Sequence, residues 1–357
     1  MLDISKKIPV VIPSYKPDGT LLSTCRELIA AGLENIVVVD DGGGEEYAHI
    51  FKQVKEDLHC TVLVHEVNRG KGRGLKTAFE HIINEQPDAI GCVTADADGQ
   101  HLPKDILACM EALEKNPDAL VLGCRDFSGD DVPTKSRYGN ELTKKVCSAL
   151  CGVKVSDTQT GLRSIPLDFM KHLLHVKGER FEFETNMLVE CKDRVNIVEV
   201  TITTVYDSKD DHQTHFNPLK DSMRIYAIFG KIFLKYIAAS AASFVIDYTL
   251  FLALDALFVQ YDIGQGQHDI MAHMIARVVS ASFNYLLNSV LVFRSNKKAP
   301  TSALKYFIVA VAQLGCGSLL LHTLPEWGVK LEPWLLKPLV DGVLFVISFF
   351  VQRKFVF

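Results

Sequence analysis

Ala89-Ile90-Gly91-Cys92-Val93-Thr94-Ala95-Asp96-Ala97-Asp98-Gly99-Gln100-His101 is the stretch that decides the fold of the amino-terminal part of this chain. Its apolar head reads as a buried strand, and its acidic tail as the loop at that strand's carboxyl end. Asp-x-Asp in an extended segment turns both carboxylates to one side, because side chains alternate with period two. In open α/β sheets ligands bind at the carboxyl edge. Two oxygens held this way suit a hard divalent cation that keeps several waters and also binds substrate phosphates. Acidic pairs are common in solvated loops too, so the pair takes its meaning from its neighbours.

Strands and helices alternate on either side of it. The spacing predicts strands at 8–12, 35–39, 61–65, 89–93 and 119–123, with helices at 19–31, 45–58, 73–85 and 103–115. That rhythm predicts an α/β domain with a mostly parallel sheet covered on both faces. Each strand ends in polar chemistry. Pro13-Ser14-Tyr15-Lys16-Pro17-Asp18 follows the first and Asp40-Asp41-Gly42-Gly43-Gly44 the second. Asp40 or Asp41 would accept hydrogen bonds from a nucleobase or ribose, or bond locally as turn residues. After the third strand, Asn68-Arg69-Gly70-Lys71-Gly72-Arg73-Gly74 opens a helix. Glycines and cations at a helix N-terminus form a phosphate cradle, with Lys71 among its cations. It is not a Walker loop, because Lys71 is not followed by Ser or Thr.

The chain has 357 residues, room for two domains. Its net charge of −5 comes with no basic patch, so nucleic acid is not an expected partner. Nine cysteines are scattered without a Cys-x-x-Cys pair, which fits free thiols in a reducing cytosol. The start, Met1-Leu2-Asp3-Ile4-Ser5-Lys6-Lys7, has no apolar run after its basic pair, only one short strand, and no signal peptide is expected.

From Ile232 onward apolar runs dominate. Segments at about 232–258, 270–293, 304–324 and 335–357 are each long enough to cross a hydrocarbon core about 30 Å thick as a helix. Lys220, Arg224, Lys231 and Lys235 precede the first span, Arg294, Lys297, Lys298 and Lys305 separate the second and third, and Arg353 and Lys354 close the chain. The other two loops are nearly free of Lys and Arg, and Trp327 and Trp334 stand as interfacial aromatics. By the positive-inside rule both termini are cytoplasmic. Segment 217–231 reads as an interfacial amphipathic helix, or as the cytoplasmic extension of the first span. The membrane part repeats: Lys235-Tyr236-Ile237 matches Lys305-Tyr306-Phe307, and Asn288-Ser289-Val290-Leu291-Val292-Phe293 matches Gln352-Arg353-Lys354-Phe355-Val356-Phe357. Asp247, Arg277 and Asp341 lie inside spans, where ionisable residues are costly. They fix helix packing or mark a lipid-phosphate pathway.

The ordered loops over residues 8–226 resemble the family-2 glycosyltransferases, and within them the polyprenyl-phosphate sugar synthases of the dolichol-phosphate mannose synthase type. Asp98-Gly99-Gln100-His101-Leu102-Pro103 is the most specific part of that likeness. Residues 235–357 resemble the GtrA-like four-helix membrane proteins. The resemblance implies a cytoplasmic type-A glycosyltransferase (Rossmann-like) domain at 1–216, the interfacial helix at 217–231, and a membrane domain at 232–357. Carried over by position, Pro13, Tyr15, Asp18 and Asp41 line the nucleotide-sugar pocket with Lys71 and Asp96. Asp98 and Gln100, beside Asp96, hold Mg²⁺ or Mn²⁺. Asp96, Asp98, Arg125 and Arg137 form the catalytic set, the two arginines binding the acceptor phosphate. Asp157-Thr158-Gln159-Thr160-Gly161-Leu162-Arg163 and Phe181-Glu182-Phe183-Glu184 match further family blocks. One departure stands out: the family's basic Arg-x-x-Gly-x-Ser-Lys stretch is replaced by residues 206–216, where Lys209 or His215 would have to take its place.

The implied reaction is inverting transfer of a sugar from a UDP- or GDP-sugar to a polyprenyl phosphate at a cell membrane. Its partners are the donor, the lipid and the membrane, with homo-oligomers also expected. The competing readings are a transferase with a polymer acceptor, and a sugar-lipid translocase or binder whose membrane half is the active part.

Overall fold

The computed structural model describes residues 2–126, 144, 148, 153–191, 194–203, 218–261, 268–293, 295, 299–328, 331 and 333–357. It divides into two compact units, one of residues 1–148 with 153–226, the other of 149–152 with 227–357.

The first unit runs α1 (Leu2–Lys7), β1 (Val10–Ser14), α2 (Thr20–Ala30), β2 (Ile36–Asp40), α3 (Ala48–Glu56), β3 (Thr61–Val64), α4 (Lys71–Glu85), β4 (Gly91–Thr94), α5 (Pro103–Lys115), β5 (Ala119–Arg125), β6 (Arg163–Pro166), α6 (Leu167–Leu173), α7 (Glu182–Cys191) and β7 (Asn196–Ile202). Among the described residues the strands make one sheet in the order β3-β2-β1-β4-β6-β5-β7. Pairings are parallel except those of β6, which runs antiparallel to β4 and β5.

The alternation predicts this mostly parallel sheet, and the apolar strands explain it. Every residue of β2 and β4 is buried, as strands covered on both faces must be. Val10, Ile12, Val38 and Val93 pack with Leu21, Leu28, Ile106 and Leu113 of α2 and α5 in one core cluster. Each such side chain, fully buried, contributes about 1.5–3 kcal/mol. Two local features depart from the sequence reading. The first strand begins at Val10, because Pro9 has no N–H to donate; the ladder opens where Val10 N–H donates to Asn35 O at 2.9 Å. Residues 2–7, for which the sequence reading assigned no element, form α1. The short β6 carries no alternation: Arg163, Ser164, Ile165 and Pro166 are all buried.

The remaining helices are α8 (Pro218–Gln260), which belongs to the second unit from residue 227 onward, and α9 (His268–Leu287), α10 (Ala299–Glu326) and α11 (Pro333–Val351), which lie within it. α9 and α11 each finish in a π-helical turn, Asn288–Val292 and Gln352–Val356. α8 is unbroken from Pro218, so the segment expected at the interface is continuous with the first span; Asn217 lies outside the described residues. Among the described residues, three helices are long and apolar enough to cross a membrane: Gly230–Gln260, Met271–Val292 and Ala299–Glu326. The fourth segment expected to span, 335–357, coincides in sequence with α11 and its π turn. Phe244, Val278 and Val311 are among the large apolar side chains these helices leave exposed, which an aqueous surface would disfavour and lipid would not.

The repeat read in the sequence has a structural counterpart. Tyr236 and Tyr306 are both buried, and Phe293 stacks on Phe357 with centroids 5.0 Å apart. The two π turns meet through side chains: Asn288 Nδ2 donates to Gln352 Oε1 at 3.4 Å, while Gln352 Nε2 donates to Ser348 Oγ at 2.9 Å and Tyr236 Oη at 3.2 Å.

Candidate active site

Strands β1, β2, β4 and β5 run parallel and end in residues singled out by the sequence, and β6 starts among them. The loop after β4 is built around Gly99 at φ +75°, a left-handed conformation that favours glycine. That turn lets Gln100 N–H donate to Asp98 Oδ1 at 3.1 Å. His101 folds back, its Nδ1 accepting from Asp96 N–H at 3.1 Å, so the Asp-x-Asp-Gly-Gln-His run closes on itself.

Asp96 is held from three sides. Lys71 Nζ, at the first position of α4, lies 2.6 Å from Asp96 Oδ1 and 3.1 Å from Glu184 Oε2. Gly161 packs so close to the Asp96 carboxylate that a Cβ there would force the carboxylate to shift. Burial works to raise the Asp96 carboxyl, but Lys71, His101 and Arg125 outweigh it and hold it at about 2. The ammonium of Lys71 is likewise opposed by burial and raised on balance by Asp96 and Glu184. Asp98 goes the other way: burial first, then the charge on Asp96, raise its carboxyl above the ordinary range. Lys71 thus holds one carboxylate ionised, while burial and that carboxylate's charge disfavour ionisation of its neighbour.

The loop read as a phosphate cradle is anchored from beneath. Asp41, 3% exposed, accepts from Asn68 Nδ2 at 2.9 Å, Arg69 N–H at 2.9 Å and Gly70 N–H at 2.8 Å, and bonds His65 Nδ1 at 2.8 Å. His65 Nε2 in turn meets Thr77 Oγ1 of α4 at 2.9 Å. Two of the cradle's amides are therefore engaged by Asp41 and its lysine by Asp96 and Glu184. Asp40 is also buried, accepts from Gly43 N–H at 2.8 Å, and has its carboxyl raised, chiefly by burial. Asp18 Oδ1 accepts from Thr20 N–H at 2.9 Å, fixing the entry to α2. Pro13 packs under Gly74, and Lys16 Nζ sits 5.5 Å from the Tyr15 ring centroid.

Arg125, the last residue of β5, forms a two-pronged pair with the fully buried Asp157: Nε to Oδ2 is 2.7 Å and an Nη to Oδ1 is 3.2 Å. Arg125 itself remains part-exposed, with a relative side-chain exposure of 30%. Arg137, Lys209 and His215 lie outside the described residues.

Several members of this constellation are absent from the sequence-derived set. Glu184 shares Lys71 with Asp96, Asp157 orients Arg125, Gly161 shapes the space beside Asp96, and His65 ties Asp41 to α4. All but His65 stand in blocks that carry the family likeness, yet their partners are distant along the chain. Arg163 is also buried there, donating to Thr160 O at 3.0 Å and Glu184 O at 2.7 Å, which fixes the start of β6 to α7.

The family model for glycosyl transferase family 2 matches residues 10–174, and the model for the GtrA/DPMS transmembrane domain matches residues 235–357. An uncharacterized protein of Methanocaldococcus jannaschii is 30% identical over 205 residues, which cover 56% of this chain and 82% of that one. The UDP-N-acetylglucosamine–dolichyl-phosphate N-acetylglucosaminyltransferase of Methanococcus voltae is 29% identical over 223 residues, covering 56% of this chain and 86% of that one. An undecaprenyl-phosphate 4-deoxy-4-formamido-L-arabinose transferase of Edwardsiella ictaluri is 28% identical over 175 residues, 47% of this chain and 51% of its own length. With the acidic strand-end site in the first unit and apolar helices in the second, these matches make the chain a membrane-bound glycosyltransferase of family 2 that carries a GtrA/DPMS-type transmembrane domain.

Proposed function

We propose that this enzyme transfers a sugar from a nucleotide sugar to a polyprenyl phosphate, with inversion, yielding a polyprenyl-phosphate-linked sugar. The observation that carries this reading is the union in one chain of the Lys71–Asp96–Asp98 strand-end site with a GtrA/DPMS-type membrane domain. The names of the M. voltae and E. ictaluri relatives, with dolichyl phosphate and undecaprenyl phosphate as acceptors, support it.

Asp98 and Gln100, with Asp96 beside them, would hold Mg²⁺ or Mn²⁺, and the donor set fits. Hard cations take carboxylate and amide oxygens, and the Asp98 carboxyl, raised by burial and by the charge on Asp96, would ionise more readily beside one. When bound, such an ion neutralises charge on the leaving diphosphate. The chain's own groups do the rest. Lys71 keeps Asp96 ionised. Pro13, Tyr15, Asp18 and Asp41 frame the nucleoside, the two carboxylates through the backbone they fix. Arg125, oriented by Asp157, and Arg137 hold the acceptor phosphate. A phosphate monoester has its second pKa at about 6, so it is largely dianionic near neutral pH and needs no protein base. Its oxygen forms a bond to the anomeric carbon while the bond from that carbon to the diphosphate breaks, and the nucleoside diphosphate leaves with the electron pair. Positioning and charge stabilisation supply the acceleration. The lysine- and arginine-rich loops support four spans, with both termini and the catalytic domain on the cytoplasmic side of a cell membrane.

The test mixes purified protein, Mg²⁺ or Mn²⁺, undecaprenyl phosphate and a panel of radiolabelled nucleotide sugars, then counts label extracted into organic solvent. Metal-dependent label from one donor is the expected result and names the sugar. No transfer from any donor would sink the proposal.

A further inference from the structure

The loop that leads from β3 into α4 carries an apolar tip that the transfer reaction does not use. Among the described residues of the first unit, Val64 and Val67 are the only large apolar side chains left exposed, at 68% and 66%. They stand at the carboxyl end of β3, on the same side of the sheet as the ends of β1, β2 and β4 that carry the site residues. His65 between them is buried; its N–H donates to Asp40 O at 2.8 Å, and its ring meets Asp41 and Thr77. The backbone of Val67 lies so near Gly42 that a Cβ there would stand 2.3 Å from the Val67 carbonyl carbon. A fixed backbone therefore presents the two valines to the outside.

Two unpaired cations accompany them. Arg69 is exposed, and Arg180, also exposed, lays its stem against Gly70, where a Cβ would meet Arg180 Cγ at 2.5 Å. Neither guanidinium has an ion pair or hydrogen bond among the described residues, whereas Lys71, Arg73, Lys76 and Arg125 all have carboxylate partners. Of the nearby carboxylates, Glu179 is met by Arg73 and Lys76. Glu182 Oε1 accepts from the N–H groups of Glu179 at 3.2 Å and Arg180 at 3.4 Å. Glu66, beside the valines, is exposed. An apolar tip with flanking guanidinium groups fits a lipid surface: valines enter the boundary between headgroups and acyl chains, and guanidinium groups take phosphate oxygens. A second copy of the chain fits less well, since a standard interface needs roughly 800 Å² from each partner, and two valines supply a small part of that. Lipid needs no such area, because the membrane helices already hold the chain beside it at high effective concentration.

We propose that the tip at Val64–Arg69, with Arg180, rests on the phospholipid surface of the membrane, the valines in the acyl boundary and the two arginines on headgroup phosphates. The test uses full-length protein in which the chain's two tryptophans are replaced, Trp327→Phe and Trp334→Phe. One reporter is then added: Val67→Trp or Val64→Trp at the tip, or Asp88→Trp, an exposed position just before β4 at the opposite edge of the sheet. Each protein is reconstituted in nanodiscs of phosphatidylglycerol and phosphatidylcholine, with acyl chains either plain or brominated near the headgroup. No nucleotide sugar or polyprenyl phosphate is added, so the outcome does not depend on transfer activity. A side chain buried about 5–10 Å into the boundary lies within reach of the bromine, so emission from the tip reporters should fall at least about twofold. Emission from Asp88→Trp should not change. Arg69→Gln together with Arg180→Gln should remove at least about half of the quenching at Val67→Trp, because both phosphate contacts are lost. Quenching at both tip reporters no greater than at Asp88→Trp overturns the proposal, as does quenching that the double arginine variant leaves intact. A blue-shifted tip emission that bromine does not quench would mean that protein covers the tip, a second copy included, and overturns it as well.

Discussion

Asp98 carries a conflict between stability and chemistry. Its carboxyl is raised by burial and by the charge on Asp96, so its ionised form costs folding free energy at neutral pH and that cost is relieved as pH falls through the raised value. Asp98→Asn should therefore raise the thermal midpoint of metal-free protein while cutting transfer by about 100-fold or more; a lowered midpoint would contradict the electrostatic account. Membrane insertion should be unchanged. Asp96 has the opposite sign. Its folded value of about 2 lies below the ordinary 3.8, so it adds stability that is present above about pH 4 and lost as pH falls from there toward 2. Lys71→Met removes the nearest cation. Thermal midpoints compared between pH 5 and 3 should fall less steeply in that variant than in the parent, and donor affinity at neutral pH should weaken.

At the scale of elements, the turn from β3 into α4 is the part of the site whose geometry is most constrained. Gly70 caps α4 at φ +100°, and a Cβ there would meet Glu179 O and Arg180 Cγ at 2.5 Å. Gly70→Ala should destabilise the protein by about 1–3 kcal/mol, seen as a lowered thermal midpoint, and should raise the donor KM by displacing Lys71. Asp41 supports the same turn from β2. Asp41→Asn replaces one accepting oxygen by a donor, so amides that now have a partner lose it. Each buried donor left unpaired costs about 1–3 kcal/mol. A nucleoside role for Asp41 through this backbone predicts that thermal stability and donor affinity fall together in Asp41→Asn. Loss of affinity at unchanged stability would instead mean direct contact with the donor.

At the scale of the whole chain, the charge pattern of the membrane half predicts that both termini share one side. A green fluorescent protein fused after Phe357 should fluoresce in cells, and alkaline phosphatase at the same place should stay inactive; the reverse pattern would overturn the proposed orientation. Much of the fold is legible in the sequence. Helix α5 falls at 103–115 as its spacing predicts, and the five strands read in the sequence, β1 to β5, lie within two residues of their expected places, because strands buried on both faces must be apolar runs and polar turns must separate them. The motif residues after β1, β2 and β4 are legible for the same reason, since consecutive parallel strands deliver their ends to one edge. What the sequence alone determined is thus whatever depends on local period, composition and charge: the alternating α/β unit, the apolar helices with their repeat, and the acidic strand end. Only the tertiary structure decided that Lys71 joins Asp96 to Glu184, that Asp157 holds Arg125, and that β6 enters the sheet antiparallel. Those partners are far apart in the chain, and an ion pair has no period along the sequence to reveal which residue will close it.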